Sequence, residues 1–301
     1  MGRVGGVVRV ILVTGGAGQL ATALARAPDV TVVGRPAFDF EQPASIDSAL
    51  AAAAPTLVVN AAAWTAVDAA ETNRDAAMRA NCDGPARLAT LCAEAGIPLI
   101  HISTDYVFDG DKGSPYVESD RTNPTGVYGE TKLAGERAVL AANPRAIVIR
   151  TAWVYSATGK NFVRTMLALG QTRDHLRVVA DQRGCPTAAD ALADIVLGVA
   201  RAATAEWRDE YGGVFHSCGT GETTWHGFAE AIFAEAARHG ARVPTVEPIT
   251  TAEFPTPAKR PADSRLDCSK LERVFALRQP PWQSSLAGVV DALLARAPAS
   301  A

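Results

Sequence analysis

The sequence predicts an α/β fold, a doubly wound parallel sheet followed by a smaller C-terminal cap, and three observations carry that expectation. Short Val/Ile/Leu runs alternate with helical segments over the first 155 residues. A glycine loop, TGGAGQL, directly follows the first run and opens the first helix. After Tyr155 the rhythm gives way to proline-rich connections such as EFPTPAKRP. Continuous apolar runs separated by helices are what parallel strands covered on both faces require.

In chain order, VVRVILV precedes QLATALARA, and VTVVG precedes the Ala-rich ASIDSALAAAA. LVVNAA leads to the long helical stretch AAMRANCDGPARLATLCAEAG, LIHIST to YGETKLAGERAVLAA, and AIVIRTAWVY closes the series. Right-handed crossovers place every strand's carboxyl end on one edge of such a sheet, where these folds bind ligands. Two later strands, LRVVADQ and GVFHS, are expected to extend the sheet, and LADIVLGVARAA reads as one more covering helix. Further helices are expected near Asn161 to Leu169, Thr224 to His239 and Ser285 to Ala295. Residues 1–155, completed by 176–218, therefore read as the sheet domain, with 156–175 and 219–301 as a cap that binds the substrate.

Composition narrows the class of function. With 48% apolar and 20% charged residues, a formal charge of −3 and no block of like charges, the chain has no footprint for nucleic acid or an anionic membrane. The longest apolar run, ALAAAAPTLVVNAAAW, is broken by Pro55 and Asn60, short of the roughly 20 residues a membrane helix needs. The N-terminal run leads into the glycine loop instead of a small-residue cleavage site, which points to the cytoplasm. Five cysteines without a CxxC pair fit reduced thiols. Five histidines without an HExxH spacing argue against a metal. Chemistry on a small molecule is what remains.

The glycine loop points to a dinucleotide, and so to a sheet of the Rossmann type. Gly15 and Gly18 allow a tight turn and close approach of backbone to a pyrophosphate, and Ala21 keeps the third position small. At the end of the second strand, where an acidic residue would select NAD, VTVVGR presents Arg35. A guanidinium there suits a 2'-phosphate, so the expected cofactor is NADPH in preference to NADH, or either of the two. Asp39 and Phe40, in FDFEQP, lie where a carboxylate and a ring could embrace the adenine.

The stretch VYGETKLAGERAV puts Tyr128 and Lys132 four residues apart, on one face of a helix at the sheet's ligand-binding edge. A nearby ammonium favours the phenolate and would draw the tyrosine down from its reference near 10, making it a proton donor or acceptor near neutrality. One strand earlier, HISTDYVFDG ends on Ser103 and Thr104, whose hydroxyls could steady a substrate oxygen.

The ordered set TGGAGQL, VVNAAAWT, STDYVF, YGETK, RTAWVY, GCPT and RPADSRL resembles the extended short-chain dehydrogenase/reductases, and within them the dTDP-4-dehydrorhamnose reductase family, over nearly the whole chain. The resemblance implies hydride delivery from NAD(P)H to C4 of a dTDP-4-keto-6-deoxy-L-hexose, giving dTDP-L-rhamnose. By matching position it implies that Thr104, Tyr128 and Lys132 are catalytic. Gly18, Gln19 and Leu20 would contact the pyrophosphate, and Asp39 and Phe40 the adenosine. Ala61, Ala62, Ala63, Trp64 and Thr65 would lie on the ribose and nicotinamide side. Thr104, Asp105, Tyr106 and Trp153 would touch the sugar, while Asn161, Arg260 and Arg265 are expected at the nucleoside diphosphate. Some members of the family form dimers bridged by Mg²⁺ through glutamates, one of them on the first helix. That helix here reads QLATALARA, without an acid, so no metal site is expected. Monomer and homodimer remain equal expectations. The competing readings are an epimerase or dehydratase of nucleotide sugars and a non-catalytic nucleotide-binding subunit. STDYVF lacks the acid pair of the dehydratases, and the retained tyrosine and lysine argue against loss of catalysis.

Overall fold

A computed structural model describes residues 10–295 of the chain. Of the first expected strand, residues 7–9 lie outside that range. The chain runs β1 (Ile11–Thr14), α1 (Gln19–Leu24), β2 (Val30–Val33), α2 (Pro43–Ala53), β3 (Leu57–Asn60), α3 (Val67–Ala70) and α4 (Arg74–Met78). One π-helical turn, Arg79–Asp83, joins α4 to α5 (Gly84–Glu94), so the long helix expected there is nearly continuous but locally widened. Then come β4 (Leu99–Thr104), α6 (Val127–Ala142), β5 (Ala146–Thr151), β6 (Val154–Tyr155) and α7 (Phe162–Thr172). The remainder is β7 (His175–Val179), β8 (Arg183–Gly184), β9 (Thr187–Ala188), α8 (Ala189–Ala205), β10 (Gly213–His216), β11 (Thr223–Thr224), α9 (Trp225–Ala237), β12 (Thr245–Ile249), α10 (Ser269–Phe275) and α11 (Trp282–Leu294).

The six-stranded main sheet has the order β10-β5-β4-β3-β1-β2 and is parallel at every pairing. Every residue of β1, β3 and β5 is buried, as continuous apolar runs demand. Side chains alternate between the two covering layers. Ile11 and Val13 join the core beneath α1 and α8, while Leu12 faces Ile46, Leu88 and Val139 from α2, α5 and α6. The strand order reverses between β1 and β3, and this switch point opens the crevice in which doubly wound sheets hold their ligands.

The two late strands part company. GVFH pairs with β5 at the sheet edge, as expected. The LRVV strand does not extend the sheet: β7 pairs in parallel with β12 in a separate two-stranded sheet. The physical reason is its alternation. His175 and Arg177 are exposed while Leu176 and Val178 are buried, so it suits a sheet with one wet face. Leu176 and Val178 pack with Phe228, Ile232 and Leu286 from α9 and α11 into a second core, distinct from those of the main sheet. The helix starts follow their capping side chains: Asn161 accepts the Arg164 amide before α7, and Thr224 the Gly227 amide before α9.

Candidate active site

A cavity of about 1120 Å³ lies along the carboxyl ends of β1 to β5. It exceeds the volume usual for a single small ligand, so a dinucleotide and a second molecule can share it. Gly15, Gly18, Gln19 and Leu20 line it together with Arg35, Asp39, Phe40 and the run Ala61, Ala62, Ala63, Trp64, Thr65. Thr104, Asp105, Tyr106, Tyr128, Lys132 and Trp153 line it as well. The glycine loop fits a pyrophosphate because it has no room for side chains. Gly15 sits at φ +113°, and a Cβ there would lie 2.9 Å from the Ala61 carbonyl oxygen. Arg35 follows β2 two residues on, is exposed, and has no carboxylate partner among the described residues.

Tyr128 lies in the first turn of α6 with its ring edge-on to Tyr106 at 5.4 Å. Burial pushes its phenol up, Asp105 and Tyr106 add to this, and a hydrogen bond with Thr104 opposes them. Lys132, one turn on, is 2% exposed. Its Nζ donates to the Ile102 carbonyl at 2.7 Å, and burial draws it down to about 8 against the pull of Glu136. The expectation that the ammonium would lower the phenol is thereby corrected. Desolvation governs the phenol, and Tyr128 is held neutral.

Thr104 ends β4 and caps the turn that follows, donating to Asp105 Oδ1 at 2.9 Å and accepting the Tyr106 amide. Asp105 is buried, which pushes its carboxyl up to about 6 against hydrogen bonds from Ser264 and Thr104. Ser103 is committed elsewhere, since its hydroxyl donates to Glu136 at 2.5 Å. Glu136 is also gripped by both Nε and Nη2 of buried Arg150, a pair that fastens α6 to β5 below Lys132.

Trp153 adopts φ +50°, an uncommon conformation for a bulky residue, and stacks on Trp225 with centroids 3.6 Å apart. Gly184 lies against the same indole, where a Cβ would collide with the ring.

Three expected substrate residues are not among the cavity's lining. Asn161 caps α7 and donates to Gln19 Oε1 at 2.9 Å, so it ties the loop after β6 to the start of α1. Arg260 pairs with Asp68 at 2.8 Å. Arg265 spends its guanidinium on Asp263, Glu222 and the Gly113 carbonyl. With Nε and both Nη atoms so engaged, Arg265 is held against Asp263 and Glu222, outside the cavity's lining.

Two asparagines were missed. Asn60 accepts from Thr14 at 2.7 Å and meets His101 Nδ1 at 2.9 Å, pinning the ends of β1 and β3 to the middle of β4. Burial, with Lys132 nearby, holds His101 well below its usual value. Asn81, on the widened turn, accepts the Trp64 amide at 2.8 Å and donates to Thr131 Oγ1 at 3.1 Å. For Asn60, a polar residue inside the apolar run LVVNAA was the available signal.

A tyrosine and a lysine one turn apart, facing a dinucleotide-sized cavity at the switch point of a parallel sheet, make this an extended short-chain dehydrogenase/reductase. More narrowly, the chain belongs to the dTDP-4-dehydrorhamnose reductase family. The family model described as RmlD substrate binding domain matches residues 9–295. A dTDP-4-dehydrorhamnose reductase of Sinorhizobium fredii is 48% identical over 288 residues, 94% of this chain and 97% of that protein. The crystal structure of a dTDP-4-dehydrorhamnose reductase from Clostridium acetobutylicum superposes with a TM-score of 0.86 at 39% identity, covering 94% of this chain and 99% of that one. The Bacillus anthracis dTDP-4-dehydrorhamnose reductase, solved in complex with NADP, also reaches 0.86 at 32% identity over 93% of this chain and 98% of its own.

Proposed function

We propose that the protein uses NADPH to reduce the 4-keto group of dTDP-4-dehydro-L-rhamnose, giving dTDP-L-rhamnose. The observation that carries this reading is the neutral Tyr128 phenol beside Thr104, at the edge of a cavity with room for two ligands. The names of the near-full-length relatives and the NADP complex in the family support the substrate and the cofactor.

Bound NADPH would supply the hydride to C4. Tyr128, kept protonated by burial, gives its proton to the ketone oxygen as charge develops there. Thr104 shares that oxygen's charge when its one hydroxyl proton turns from Asp105 to the ketone oxygen. Lys132, held by the Ile102 carbonyl, orients the ribose hydroxyls. The glycine loop from Gly15 to Leu20 takes the pyrophosphate, Asp39 and Phe40 take the adenosine, and residues 61–65 flank the ribose and nicotinamide. Arg35 takes the 2'-phosphate. Asp105, Tyr106 and Trp153 contact the sugar. In this reading residues 156–179, which include β7, and 219–295 act as the substrate-binding cap, and the Gln19–Asn161 and Trp153–Trp225 contacts join it to the cofactor half. The work is done in the cytoplasm.

Incubation with the keto sugar nucleotide and NADPH, followed at the reduced-nicotinamide absorbance band with product identification by NMR, tests the proposal. One NADPH consumed per rhamnose nucleotide formed is expected. Turnover without net NADPH loss would assign an epimerase instead.

A further inference from the structure

Three of the five cysteines, scattered in sequence, meet in the fold. Cys185 follows β8, Cys218 follows β10 and Cys268 immediately precedes α10. The Sγ atoms of Cys218 and Cys268 are 3.6 Å apart, and both thiols address the Leu266 carbonyl, at 3.7 and 3.8 Å. Cys185 lies beside Cys218, near enough to draw its own thiol down. Cys185 and Cys218 are buried, whereas Cys268 is partly open to solvent. Nothing in the proposed reduction uses these sulfurs.

We propose that Cys218 and Cys268 are a peroxide-responsive site that closes reversibly to a disulfide. A disulfide is about 2.05 Å long, so the sulfurs need to approach by about 1.5 Å from where they already touch. Both positions allow this: Cys218 lies beyond its strand, and Cys268 stands at the N-cap with non-helical angles. The partly exposed Cys268 sulfur attacks hydrogen peroxide, breaking the O–O bond, releasing water and forming a sulfenic acid. The Cys218 sulfur then attacks the Cys268 sulfur and water leaves, so two thiols and one peroxide give one disulfide and two waters. Among the described residues the Cys268 sulfur pairs with Cys218 and not with Cys185, which is buried and stays outside the bridge.

The consequence is mechanical. The bridge joins the end of β10 to the segment carrying Ser264, which lies beside the cavity residue Asp105, and Leu266, which pairs with Tyr116. It closes a loop across a sequence separation of 50, so the oxidised protein resists unfolding better.

The reduced full-length protein is exposed to stoichiometric hydrogen peroxide and then examined by intact mass, thiol titration and peptide mapping. A mass loss of about 2 Da, disappearance of two of the five thiols, one linked peptide containing Cys218 and Cys268, recovery with dithiothreitol, and a melting temperature higher by several degrees are expected. Cys268→Ser abolishes the linked peptide, while Cys185→Ser and Cys82→Ser retain it. Should Cys268→Ser fail to fold, the wild-type peptide map decides alone. Oxygen addition at Cys268 or Cys82 without cross-linking, a bridge between Cys185 and Cys218, or no reaction before unfolding each overturns the proposal.

Discussion

Tyr128 and Lys132 stand one turn apart on the buried face of α6, yet each takes its protonation from separate surroundings. The phenol is raised by burial and by Asp105, while the ammonium is lowered by burial and bonded to a backbone carbonyl. In the direction of ketone reduction a protonated phenol is the required acid, so the arrangement suits a reductase.

Tyr128→Phe removes that acid and keeps the ring against Tyr106. Turnover should fall by about 10²-fold or more, with NADPH affinity by fluorescence titration nearly unchanged. Full activity in the Phe variant would remove Tyr128 from the chemistry.

Lys132 links stability to pH. Its folded value of about 8 lies below the unfolded value of about 10.4, so between them the unfolded chain binds the extra proton. Its contribution is present above pH 10 and is lost as pH falls through 8, a loss on the order of 3 kcal/mol. Without ligands, Lys132→Met should therefore be more stable than wild type to urea at pH 7, with the gap narrowing toward pH 10. A gap independent of pH would show that the ammonium is solvated.

Arg35→Ala should raise KM for NADPH by about tenfold or more, the scale of one lost charged hydrogen bond, and leave NADH almost unaffected. Equal effects on both cofactors would place the 2'-phosphate elsewhere.

Gly184→Ala pushes on the Trp153 indole from below. Because Trp153 lines the sugar side, KM for the keto sugar nucleotide should rise with kcat changed less, and NADPH binding should stay as it is. An unchanged KM would mean that the indole is not in contact with substrate.

Asn81→Ala leaves the Trp64 amide and Thr131 without their partner. Loss of about 1 to 3 kcal/mol of stability is expected in chemical denaturation, together with weaker NADPH binding as the 61–65 loop loosens. Wild-type values for both would make the contact incidental.

The parts of the site legible in the sequence are those carried by local rules. A glycine turn after a strand, four-residue helical spacing and hydroxyls at a strand end placed Gly15, Gly18, Tyr128, Lys132 and Thr104 at one edge, and all line one cavity. The Arg260 and Arg265 expectations came from matching position in the family, and position does not say which acid lies nearest in the fold, where Asp68 and Asp263 pair with them. The LRVV strand was misplaced because its length fits either sheet, although its alternation pointed to a wet face.

The sequence by itself determined the layered α/β order, the switch-point crevice and the chemical identity of the groups placed there, because periodicity and loop residues act over a few positions. Tertiary structure alone decided the protonation of Tyr128 and Lys132, the capture of Arg265 and the meeting of Cys218 with Cys268. Those depend on burial and on partners distant in the chain, which only a folded core brings together.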